Sequence, residues 1–145
     1  MSGTSHTSGH IQNFQTDNPY EKKWGYSRAT RRGPFIFVSG TTAVDLETGK
    51  IPPGLSAYGQ AKIIFAEILK AVNALGGRRE DITRVRMFVT LDEDFEDVGR
   101  ALKESLGEIA PAATGIVGAR FVSPDMKVEI EADAVVLLDQ IEEYR

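Results

Sequence analysis

The sequence predicts an α+β protein: a mixed β-sheet with two helices packed on one face, in two layers. Three observations predict it. VEIEADAV (Val128 to Val135) alternates Glu129, Glu131 and Asp133 with Val128, Ile130, Ala132 and Ala134, the period of a strand between two environments. Ala57, Ala61, Ile64, Phe65, Ile68, Leu69, Val72 and Leu75 recur at helical spacing, the stripe of a helix laid on a sheet. The segments follow one another as β-β-α-β-α-β-β, an order that packs helices over one sheet.

Taken in order, residues 1–18 are Gly-, Ser- and Thr-rich and are expected to form a disordered tail. Pro19 to Trp24 leads into the domain. GYSRATRR (Gly25 to Arg32) is expected as a first strand, Gly33-Pro34 as a turn, and FIFVSG (Phe35 to Gly40) as a buried strand. Gly40 ends that strand where the backbone takes φ > 0 or a ligand comes close. Asp45 to Gly54 is a loop. Ser56 is the N-cap of the first helix and Gly76-Gly77 its end, with Lys62, Glu67 and Lys70 toward water.

RVRMFVTL (Arg84 to Leu91) sets Val85, Met87 and Val89 against Arg84, Arg86, Phe88 and Thr90, a further strand. Asp92 to Asp94 place acid before the next helix, where its dipole favours it. That helix carries Phe95, Val98, Leu102 and Leu106 on one face; Gly99 inside it costs about 1 kcal/mol against Ala. Pro111 to Leu138 reads as two strands joined by a turn at Ser123-Pro124-Asp125, and Asp139 to Arg145 as a polar end. Residues 19–138 therefore form one domain.

A chain of 145 residues buries roughly 70% of the surface it exposes unfolded, enough for a core. Its net charge of −4 gives no long-range pull toward nucleic acid or anionic lipid. The pairs and triplets of arginine at Arg28/Arg31/Arg32, Arg78/Arg79 and Arg84/Arg86 read as solvated faces. There is no cysteine, which removes disulfides, thiol nucleophiles and thiolate metal sites and fits a reducing compartment. The only histidines, His6 and His10, lie in the tail, so no imidazole mechanism is expected. No apolar run approaches the ~20 residues of a membrane helix, and the N-terminus lacks a basic-then-apolar leader.

Two readings of the acidic strand stay open at this level. Its carboxylates form a solvated face, or one of them points into a pocket as a general acid or base. The sheet's second face, with aromatic residues from FIFV, needs a cover, and self-association is the simplest one.

Several motifs in fixed order then resemble one family. They are GYSRA (Gly25 to Ala29), FVSGTTA (Phe37 to Ala43), a helix ending LGG, DFEDVGRA (Asp94 to Ala101), PAAT (Pro111 to Thr114) and VEIEADAV. The chain resembles the RidA/YjgF family, the reactive-intermediate deaminases once grouped as L-PSP endoribonucleases, from about Gly25 to Val136. The resemblance implies a chorismate-mutase-like fold, a homotrimer, and a small-molecule cleft at each subunit boundary. It implies hydrolysis of reactive enamines or imines to a 2-oxo acid and ammonia, with no metal or organic cofactor. A cytoplasmic place is expected, with a mitochondrial one the alternative.

Residue by residue, the resemblance points to Glu131 as the carboxylate that positions or activates water, and to Tyr26, Gly40 and Thr114 as cleft residues. Three positions depart from the family pattern. Ala113 stands where active members carry an arginine for the substrate carboxylate, Gly115 where a Cys is frequent, and Gly99 where some members have Asn. Losing an Arg–carboxylate fork removes roughly 3 kcal/mol of binding. Arg120, in GARF, is expected to make a surface or interface ion pair; the alternative is a rescue role, in which it reaches the cleft in place of the missing arginine. Three functions compete: a hydrolytic deaminase acting on a small imine or enamine, a non-catalytic ligand-binding trimer, and an endoribonuclease. The last is disfavoured by the acidic balance and the lack of imidazole outside the tail.

Overall fold

The computed structural model describes residues 3–8 and 11–136. One seven-stranded sheet runs in the order β1-β2-β3-β4-β7-β5-β6. Its strands are β1 (Gly3–Ser8), β2 (Ile11–Thr16), β3 (Ala29–Arg32), β4 (Phe35–Thr41), β5 (Ile82–Val89), β6 (Ala112–Val117) and β7 (Val128–Val135). All neighbours are antiparallel except β5 and β6, so the sheet is mixed, as the sequence predicts. The helices are α1 (Pro19–Trp24), α2 (Ala57–Ala74) and α3 (Phe95–Leu106).

α2 starts where expected: the Ser56 hydroxyl accepts from the Gly59 N–H at 3.1 Å. It ends at Gly76, whose φ of +85° only glycine adopts without strain. Its buried stripe (Ala57, Ala61, Ile64, Phe65, Ile68, Val72) lies on β4 and β7 and against α3. Ile36 and Val38 of β4, Val85, Met87 and Val89 of β5, and the even positions of β7 from Val128 to Ala134 close the core from the sheet side. The opposite face carries Phe35 and Phe37, 48% and 45% exposed, with rings stacked at 6.4 Å. The six residues of edge strand β6 are all exposed.

Three expectations need correction. The segment expected as a disordered tail contains β1 and β2; Phe14 drops into the core, and β2 pairs with β3 from Ile11↔Arg32 to Phe14↔Ala29. Its low hydrophobicity hid a pairing that needs one aromatic anchor and backbone hydrogen bonds. The lead-in Pro19 to Trp24 is a helix. Asn18 caps it by accepting from the Tyr20 N–H at 3.0 Å, and Gly25 ends it in the left-handed conformation, so the strand after it begins only at Ala29. Finally, β6 and β7 are not neighbours, for β5 lies between them. The turn at Ser123 to Asp125 exists, with Met126 N–H donating to Ser123 O at 3.2 Å, but it lies within a loop that spans β5 instead of a hairpin. His10 and the polar end from Asp139 to Arg145 lie outside the described residues.

Candidate functional site

Strand alternation puts Glu129, Glu131 and Asp133 of β7 on the open face of the sheet, each half-buried. Register places Glu131 across from Arg86 of β5, and Arg86 across from Thr114 of β6. The Arg86 guanidinium is shared: Nη1 lies 3.2 Å from Glu131 Oε1 and 3.5 Å from Asp133 Oδ2. Glu131 is therefore a carboxylate already engaged by a cation. It lines a shallow concavity with Tyr26, Phe37, Arg86 and Asp133.

Glu129 has a different setting. Among the described residues it makes no hydrogen bond or ion pair. Burial pushes its carboxyl above the ordinary value, against the opposing pull of the Arg28 charge and with a smaller push from Glu131. Its carboxylate lies against Gly40, where a side chain would stand 2.5 Å from Oε1. Gly40 is thus required for close approach. Its φ is not positive; β4 runs on to Thr41 through an irregularity in its pairing with β7.

Arg28 fixes this corner. The sequence reads it as part of a solvated basic cluster, but it is buried. Its Nε lies 3.6 Å from the buried Glu21 carboxylate of α1. Its Nη1 donates to Gly40 O at 3.0 Å and Thr41 Oγ1 at 3.3 Å, and its Nη2 to the Tyr26 hydroxyl at 3.4 Å. Glu21 is held in turn by the Thr16 N–H at 2.8 Å. The chain from β2 through α1 to β4 is locked around one buried ion pair, with Tyr26 and Gly40 beside it. A cluster of arginines in sequence says nothing of which one turns inward, so this pair was not legible there.

Tyr26, Arg28, Gly40 and Glu129 line a second concavity of about 610 Å³. Tyr20 and Trp24 of α1 and Arg120, Phe121 and Val122 of the β6–β7 loop line it too, with Asn18, Thr42, Val44 and Met126. Arg120, expected in an ion pair, makes none among the described residues. No histidine lines either concavity among the described residues.

The remaining predicted residues lie elsewhere. Ala113 and Gly115 sit opposite Val85 and Met87, on the helix-bearing side of the sheet, and Thr114 on the open side. A Cβ at Gly115 would stand 2.5 Å from the Phe95 ring of α3. Gly99 is exposed and nothing would crowd a side chain there, so close packing does not explain it. Within one copy of the chain, Tyr26, Gly40 and Glu129 come together; Ala113, Thr114, Gly115 and Gly99 do not join them.

The fold and its cleft define a small α+β protein with a partnerless carboxylate held in an aromatic-walled hollow. The Endoribonuclease L-PSP family matches residues 16–136. The chain belongs to that family, the RidA/YjgF family of the sequence reading. The uncharacterized protein SCO2049 of Streptomyces coelicolor is 31% identical over 130 residues, covering 88% of this chain and 94% of its own. A 2-iminobutanoate/2-iminopropanoate deaminase of Dermatophagoides farinae is 26% identical over 111 residues, covering 77% of this chain and 85% of its own. Among solved structures, Rv2704 of Mycobacterium tuberculosis, a YjgF/YER057c/UK114 family member, superposes with a TM-score of 0.72 at 30% identity. That match covers 93% of this chain and all of that one. No helix among the described residues is long and apolar enough to cross a membrane.

Proposed function

We propose that this protein is a hydrolytic deaminase of small reactive imines or enamines, with Glu129 as its acid–base group and a homotrimer as its working form. The setting of Glu129 carries this reading. A half-buried carboxyl that no hydrogen bond holds, kept above its ordinary value by burial, can take up a proton and return it. Glu131, expected in that role, is bound to Arg86 and is assigned to holding the open face together.

The chemistry needs one such group. Water adds to the C=N carbon while the carboxylate accepts a proton from it. The carboxyl returns that proton to nitrogen, giving a carbinolamine; the same group then carries the carbinolamine hydroxyl proton to nitrogen, the C–N bond breaks as the C=O bond forms, and ammonia leaves a carbonyl product. The Arg28 N–H groups fix the Gly40 carbonyl and the Tyr26 hydroxyl beside the reacting atoms.

A second copy completes the cleft in this proposal. The support is the exposed β6 edge with Ile116 and Val117, and the bare Phe35 and Phe37 face. Self-association also gives Ala113, Thr114 and Gly115 a route to a neighbour's Glu129.

The test is ammonia release from freshly generated 2-aminoacrylate and its imine homologues. Acceleration over buffer supports the enzyme. A second reading, a ligand-binding trimer without chemistry, is favoured by Ala113, whose methyl cannot grip a carboxylate. It predicts saturable binding with no acceleration, and a gain of activity in Ala113→Arg. An RNA-cleaving role fits poorly: the face bears Glu129, Glu131 and Asp133, which repel phosphates.

A further inference from the structure

We propose that Arg120 and Trp24 determine specificity in the Glu129 cleft, selecting an organic mono-anion with a flat apolar body. The inference rests on the proposed reading of that cleft as the reactive site.

Two arginines line the hollow, and they are not equivalent. Arg28 is buried and already turned to Glu21, Gly40 O, Thr41 Oγ1 and Tyr26. Arg120 has no hydrogen bond or ion pair among the described residues. It is the cation of this hollow with its planar fork open to a ligand, and such a fork matches a carboxylate in two parallel hydrogen bonds.

Its position is fixed although its side chain is exposed. The loop begins with the Gly118 and Ala119 N–H groups both donating to Val89 O, at 2.9 and 3.1 Å. At its other end the buried Gln60 of α2 donates to Asp125 O and accepts from Lys127 N–H, each at 3.0 Å. Phe121 packs on the core between these ties. A cation on an anchored loop loses less entropy on binding than one on a free loop.

Most of the remaining wall is apolar, with Asn18 and Thr42 its polar members. Trp24 is 68% exposed and Val122 79%, with Tyr20 beside them. Trp24 ends a helix pinned by the buried Glu21, and the Lys23 ammonium sits 5.1 Å from its ring centroid. Bare apolar surface beside the Arg120 fork matches a ligand with a charged end and a flat greasy end. A hollow of about 610 Å³ holds a molecule larger than a three-carbon acid.

The chain has a single tryptophan, so emission from Trp24 reads the hollow directly. The assembled full-length protein is titrated with 3-phenylpropanoate, butanoate and 3-phenylpropanamide, by fluorescence and by calorimetry. We expect 3-phenylpropanoate to perturb Trp24 saturably and to bind at least about tenfold tighter than either comparator, the scale of a charge-assisted hydrogen bond. Arg120→Gln removes the preference over the amide. Trp24→Leu, followed by calorimetry, removes the preference over butanoate. Equal affinities, no binding, or an anion preference that survives Arg120→Gln overturns the proposal. Selective binding without ammonia release defeats the deaminase reading and leaves this one standing; ammonia release without the selectivity does the reverse.

Discussion

Gly40 and Glu129 occupy one space between them: a methyl group on the first would come within 2.5 Å of a carboxylate oxygen of the second. The atoms in conflict are the far end of a flexible side chain, so the fold can accept Gly40→Ala by moving the carboxylate. We expect near-parental thermal stability with catalytic turnover lower on the order of a hundredfold, the scale of an ångström's displacement of a reacting group. Melting and ammonia-release rates measured on the same sample decide it; unchanged turnover places the chemistry away from Glu129.

Replacing each carboxylate by its amide separates the two candidates on β7. Glu129→Gln should lose about 10²-fold or more in turnover, while Glu131→Gln, whose Arg86 partner keeps Asp133, should lose far less. The same variant has a pH signature. Burial raises the folded carboxyl of Glu129 above its unfolded value, so the folded state keeps a proton that the unfolded chain has released. Its stabilising contribution is complete below the ordinary carboxyl range and disappears as pH climbs through the raised value. Parent stability minus that of Glu129→Gln should fall across this window. A flat or rising difference contradicts the assignment.

The Glu21–Arg28 pair should be the costliest polar feature to break. Glu21→Ala takes from the buried Arg28 charge its ion-pair partner and removes the acceptor of the Thr16 N–H. The expected loss is about 3 kcal/mol, typical of halving a buried pair, read from urea unfolding at fixed protein concentration. A loss below about 1 kcal/mol, the range of exposed pairs, would mean the pair is solvated.

Phe37→Asp tests the assembly. Sedimentation of the parent should give three chain masses. The variant should sediment lighter, because a carboxylate in an apolar contact must be desolvated. A parent that sediments as a single chain removes the shared cleft.

Much of this architecture was readable from pattern alone. The stripe of α2, its Ser56 cap and the alternation of β5 and β7 reflect burial, and burial is what hydrophobic periodicity records. Periodicity is blind to the partner of a strand, so it could not show β5 entering between β6 and β7. It also reports a face and not a destination: Glu129 and Glu131 are equivalent by period, and only Arg86 across the sheet and Gly40 beside it tell them apart. Tyr26 was found through the family motif, and Gly40 both there and from its place near a strand end. Arg28 was passed over because its inward turn depends on Glu21, seven positions earlier and on a helix that Asn18, Pro19 and Gly25 do encode.

The chain reaches β7 only after every other strand, yet β7 lies between β4 and β5. A nascent polypeptide that has emerged as far as Val117 thus holds two unfinished half-sheets, β1 to β4 and β5 with β6, each with an unsatisfied backbone rim. Such rims recruit other chains. Translation stalls or truncations before Val128 should yield insoluble material rather than a smaller folded protein, and completing the last strand is the step that turns two sticky fragments into one soluble body.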